Sequence, residues 1–95
     1  MQRRSFAGLC TLVPRYYFHV ERAGQRILDE EGSDVSDLES VQGLAVRAAA
    51  DLAAEDLKSG VHSVEQFILV ENETGQDVLR VRVFALVEIQ AKRCA

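Results

Sequence analysis

The stretch PRYYFHVERAG, Pro14 to Gly24, decides how this chain is read. From Arg15 to Glu21 its residues alternate. Tyr16, Phe18 and Val20 take one side, and Arg15, Tyr17, His19 and Glu21 the other. A period of two in β-favouring residues predicts a strand. Pro14 stands at its start, where a missing N–H does least harm. ERAGQR then carries a turn, with Gly24 able to supply a positive φ. A second, shorter strand follows at about Arg26 to Asp29, which makes a β-hairpin. Large side chains on both sides of the first strand imply a sheet with both faces occupied.

Working outward, DEEGSDVSD (Asp29 to Asp37) is a polar connection that runs into a helix. Ser36 and Glu39 have the S-x-x-E spacing of a capping box. The helix is expected from Asp37 or Leu38 to about Lys58. Leu38, Val41, Ala45, Ala48 and Leu52 fall on one stripe, with Arg47, Asp51, Ala54 and Lys58 opposite. Val46, Ala50, Ala53 and Leu57 make a weaker strip beside it, read as a wide contact face in preference to the lip of a dimer interface. Gly43 is the weak point of the helix, and Gly60 its left-handed cap. Beyond it, VEQFILVE (Val64 to Glu71) predicts a third strand. Its unbroken run from Phe67 to Val70 suits coverage on both faces. ENETGQD turns the chain into a fourth strand, Val78 to about Leu86. There Leu79, Val81, Val83 and Ala85 oppose Arg80, Arg82, Phe84 and Leu86. The order β-β-α-β-β predicts an α+β fold of two layers: a four-stranded, mostly antiparallel sheet with one long amphipathic helix on one face. Strand order is open at this level.

The chain has 95 residues, which suits one domain at residues 14–90. Residues 1–13 are an N-terminal extension expected to be poorly ordered, and residues 91–95 a tail. A domain of this size buries roughly 60–65% of the surface its unfolded chain exposes. A partner that covers more surface would therefore add to modest stability. The net charge of −4 argues against a general grip on phosphate backbones, which needs Lys and Arg to displace counterions. Cys10 and Cys94 fit no zinc spacing and are expected as free thiols of a cytoplasmic protein. A disulfide between them would need both tails ordered and adjacent. The start MQRRSFAGLCTLV superficially looks like an export signal. However, its apolar run leads straight into a strand without a cleavage site. No stretch is long enough to span a bilayer, so no membrane association is expected.

The quoted opening strand resembles that of a family of short bacterial proteins known as domain of unknown function 6894. So do the Asp29-x-x-Gly32 step, Asp37 before an alanine-rich helix, the Glu73-Thr74-Gly75 turn and the strand leading to Phe84. The resemblance spans about Pro14 to Leu86. It implies the same fold and supplies no activity. Members begin with Met where this chain has Val13. Residues 1–12 are therefore expected to be either a poorly ordered extension or the product of a misplaced gene start. Tyr17 departs from the usual phenylalanine by a hydroxyl.

Three groups of residues invite a chemical reading. His19 has no carboxylate or nucleophile at a telling spacing, and no catalytic or phosphate-binding motif is present. It is read as a side chain of the polar strand face, and the chain as a non-enzyme. Asp29, Glu30, Glu31, Asp34 and Asp37 lack calcium-loop spacing and are read as a solvated loop with caps. No metal or cofactor is expected. Tyr17, His19, Arg80, Arg82 and Phe84 would share the sheet face away from the helix. They are read as a partner-binding or homodimer surface of a small regulatory module. The alternative is a single-stranded nucleic-acid-binding or antitoxin-like regulator, with the aromatics stacking bases.

Overall fold

The computed structural model describes residues 13–92. The expectations for residues 1–12, for Cys10 and for Cys94 lie outside the described residues. Within them the chain forms β1 (Arg15–Arg22), β2 (Gln25–Ile27), β3 (Ser33–Asp34), α1 (Leu38–Lys58), β4 (Ser63–Glu71) and β5 (Asp77–Leu86). All strand pairs are antiparallel, in the order β2-β1-β4-β5, and β3 also pairs with β1. The fold is the expected α+β sandwich with one open sheet face. The added element is β3, too short at two residues to show a period.

The hairpin between β1 and β2 is closed by Ala23 and Gly24, both at positive φ (51° and 75°). Two such residues in a two-residue loop match the right-handed twist of the flanking strands. β2 and β3 then lie on the same edge of β1, one at each end. β2 faces Val20 to Arg22, and β3 faces Arg15 and Tyr16. Between them, residues 28–32 swing out of the ladder opposite Tyr17 to His19. The return strand is thus a single strand interrupted by a loop.

α1 starts at Asp37, whose side chain accepts from the Ser40 backbone N–H at 2.7 Å. The capping role expected of Ser36 therefore falls to Asp37, one residue later. Bonds from the Ser40 backbone and hydroxyl hold the Asp37 carboxyl below the usual carboxylate range. Negative charge there also meets the positive end of the helix dipole. Ser59 is the C-cap, and Gly60 follows at φ +113.

The buried row of the helix is Val41, Ala45, Ala49 and Ala53. It differs from the expected stripe: Leu38 is exposed, and Ala48 and Leu52 are half-buried at its flank. Spacing by fours follows the i±4 ridge, which is inclined to the helix axis, so the contact line leaves the stripe drawn by alternating threes and fours. Three of the four side chains are alanine, the smallest that can fill such a row, and this lets α1 lie close over β4 and β5. The second strip divides accordingly. Ala53 and Leu57 turn inward, whereas Val46 and Ala50 stay exposed.

Opposite the row stand Ile68 and Val70 of β4. Tyr16, Phe18 and Val20 of β1 and Leu79, Val81 and Val83 of β5 fill the sides. Gln66, only 2% exposed, shares this inward parity. Its amide donates to Asp56, which also accepts from Arg22 Nη2 at 2.6 Å. A buried polar group needs such partners, and this one ties the end of α1 to β1 and β4. Gly43 faces open space on the helix. Gly43→Ala should stabilise the fold by about 0.5–1 kcal/mol through helix propensity and a less flexible unfolded chain. A higher urea midpoint at unchanged slope would show it.

Candidate interaction surface

Register places Tyr17, His19 and Glu21 of β1 on the face away from α1. They are joined there by Glu65, Phe67, Leu69 and Glu71 of β4 and by Arg80, Arg82 and Phe84 of β5. All five residues expected on this face are therefore on it, but they do not form one patch. β4 lies between β1 and β5, and Tyr17 is level with Glu71 whereas Phe84 is level with Glu65. Six residues of strand between those levels amount to about 20 Å. The face has two ends with different chemistry.

At the Tyr17 end the loop 28–32 folds over the sheet. Asp29 N–H donates to His19 Nδ1 at 3.1 Å. Nε2 therefore carries the ring proton and donates to Glu71 Oε1, also at 3.1 Å. Arg26 Nη2 lies 3.7 Å from the other Glu71 oxygen. The Tyr17 ring stacks on His19 with centroids 6.5 Å apart and planes 12° from parallel. His19 is left only 6% exposed. The expected open polar position is thus a closed, fully paired one, because the loop supplies both cover and a donor. In this geometry neither ring nitrogen is free to exchange a proton with a third group, as a general base must.

The loop itself is held by Asp29. Its carboxylate accepts from Phe18 N–H and Gly32 N–H, each at 3.0 Å. Burial pushes this carboxyl up. The backbone N–H groups of Phe18, Gly32 and Glu31 outweigh it and leave it below the usual range. Phe18 N–H points away from β4, so Asp29 fills the gap in the ladder between β2 and β3. Asp34 pairs with Arg15 at 3.0 Å, and Asp37 caps α1. Each of these three acidic residues has a structural partner. Among the described residues no group of three His, Cys, Asp or Glu is arranged to hold an ion.

At the Phe84 end no loop intervenes. The Arg80 guanidinium lies 4.4 Å from the centre of the Phe67 ring. Arg82 sits 6.0 Å from the Phe84 ring centre, and its Nε donates to Glu65 at 2.7 Å. Such cation–π contacts contribute about 0.5–1 kcal/mol at exposed sites. Phe84 remains 61% exposed in the body of a strand. Beside Phe67 the hairpin end forms an open cleft of about 510 Å³ bordered by Glu21, Arg22, Arg26 and Glu65, whose charges balance.

Sequence reasoning missed Asp29 as the organiser of the loop and Gln66 as a buried polar anchor. For Gln66 the signal was its place in Val64-Gln66-Ile68-Val70, an otherwise apolar inward row. For Asp29 it was the three-residue spacing to Gly32. Among the described residues no helix is long and apolar enough to cross a membrane. No curated protein and no solved structure matches the chain. A family model described as domain of unknown function (DUF6894) matches residues 15–85, from the first residue of β1 to Ala85 near the end of β5. That span includes Asp29, Gly32, His19 and the open-face arginines, and the chain belongs to this family.

Proposed function

We propose that this chain is a small non-enzymatic binding or regulatory module that self-associates through the Phe84 end of the open sheet face. The carrying observation is Phe84, a large aromatic turned to solvent in the body of a strand. The Arg82 guanidinium lies 6.0 Å from its ring centre, and farther along the same face Arg80 lies over Phe67. Aromatic and arginine side chains together are enriched at protein interfaces, whereas Lys, Glu and Asp are depleted. Tyr17 and His19 take no direct part in this revised surface, because the loop 28–32 already covers them. Phe84→Glu should leave the fold intact, since the ring has little packing to lose, and abolish association. Sedimentation of the full chain across a concentration series tests it. The parent protein should form dimers that the variant lacks, and a parent monomeric at high micromolar concentration overturns the reading.

A further inference from the structure

The two edges of the sheet are treated differently. On the β1 side the strands are three and two residues long, and Asp29 caps the exposed Phe18 N–H between them. On the other side β5 runs for ten residues with no strand beyond it among the described residues. It contains no proline, and its charged residues beyond Asp77 are Arg80 and Arg82, whose side chains are engaged with Phe67 and Glu65 on the open face. Proteins normally blunt so long an edge, because its unpaired N–H and C=O groups are a template for another strand.

The bond from Val87 N–H to the His62 carbonyl (2.6 Å) sets which groups are free. Backbone groups of alternate residues turn to the same neighbour in an antiparallel ladder. Leu79, Val81, Val83 and Ala85 therefore turn theirs to β4. Arg80, Arg82, Phe84 and Leu86 turn theirs outward. We propose that a second copy of this chain docks on that edge, β5 against β5, antiparallel and centred on Phe84. The proposal rests on the self-association argued above and moves its contact to the β5 edge that borders that face.

Charge and polarity select the register. A two-fold axis perpendicular to the sheet pairs residues on the same face. Centring on Arg80, Val81 or Arg82 sets arginine directly opposite arginine, which is destabilising. Centring on Val83 avoids that but leaves Arg80 against Leu86 and Asp77 against Ile89, and centring on Ala85 sets Arg82, already paired with Glu65, against Glu88 and leaves Arg80 against Gln90. Centring on Phe84 sets the two Phe84 rings side by side and Arg80 of each copy against Glu88 of the other. Val81 then meets Val87 and Leu79 meets Ile89. Val87 and Ile89 are otherwise exposed, Ile89 by 70%. Phe84 and Arg82 exchange backbone bonds with Phe84 and Leu86 of the second copy, so every outward group from Arg82 to Leu86 is paired.

Two measurements on the full chain test this. Val81→Cys with Val87→Cys, with Cys10 and Cys94 replaced by Ser, should give a disulfide-linked dimer on mild oxidation. The two positions lie opposite each other in a non-hydrogen-bonded pair about 4.5 Å apart, within disulfide reach, but six residues apart in one chain. Arg82→Pro removes an outward N–H, which an edge strand tolerates, together with the Arg82 side chain, and should abolish dimers, while Arg82→Ala, which removes the side chain alone, retains them. Should the parent associate without the cross-link, and Arg82→Pro associate like the parent, the edge geometry is overturned and the open-face reading stands. A monomeric parent overturns both.

Discussion

Gly32→Ala is expected to destabilise this protein by about 2–4 kcal/mol, a large share of the total for a small domain. Gly32 sits at φ +75, a region that costs an L-residue roughly 1–2 kcal/mol. An added Cβ would also lie 2.9 Å from Arg15 Cγ, 2.9 Å from Tyr17 Cε2 and 3.0 Å from the Tyr16 carbonyl oxygen. Arg15 can move aside. The Tyr17 ring is stacked on His19, and the Tyr16 carbonyl belongs to a strand, so neither gives way cheaply. Overpacking of this kind adds about 1–3 kcal/mol. The stiffer unfolded chain of an alanine variant returns only about 0.4–1 kcal/mol, so the penalty wins. Gly24→Ala separates the two terms. Gly24 has the same φ with nothing within 4 Å of a built Cβ, so it should show the conformational cost alone. Denaturant midpoints of the two variants compare them directly. Equal losses would mean that the loop yields to the extra methyl, and that its closure over Tyr17 is loose.

The same loop shows where reading the sequence succeeded and where it stopped. Arg15 to Glu21 and Val78 to Leu86 were legible because alternation is a local property, written into each strand by its own two faces. The helix was legible to within a residue at each end, because its apolar spacing and Gly60 are local too. Strand order is not local. Nothing in the alternation of β1 and β5 states that β4 comes between them, and with β4 there Tyr17 and Phe84 separate. His19 was placed on the correct face with the wrong exposure. Its cover comes from residues ten positions away, whose path depends on a two-residue β3 and one carboxylate. Five acidic residues crowd positions 29–37, and composition alone cannot say which of them turns inward. Hydrogen bonding does: Asp29 meets backbone donors of β1 and of its own loop, whereas Glu30 and Glu31 remain exposed.

Asp29→Ala should therefore rank with Gly32→Ala, at about 2–4 kcal/mol of lost stability. A hydrogen bond to a charged group contributes about 1.5–3 kcal/mol. Two are resolved here, and half-exposure reduces both, since Phe18 N–H can turn to water once the loop leaves. The loss spreads from there. Without its carboxylate anchor the loop no longer presents Asp29 N–H to His19 Nδ1, and a nearly buried imidazole is left with one partner instead of two. The carboxyl also predicts a pH dependence of definite sign. Its folded pKa lies below the ordinary carboxylate value. Its contribution is therefore complete above the unfolded pKa of about 4 and disappears as pH falls through the lower folded value. Asp37 is depressed as well and titrates in the same window, so the parent curve alone does not identify the group. Asp29→Asn does, because it keeps an acceptor while removing the titration. Urea midpoints from pH 7 to about pH 3 should fall less steeply in Asp29→Asn than in the parent. Association through Phe84 should survive both substitutions at pH 7, because the loop stands at the far end of the sheet from that ring. A parent and an Asp29→Asn variant with parallel pH curves would show that the anchoring bonds do not depend on the charge, and that the loop is held by shape at Gly32 alone.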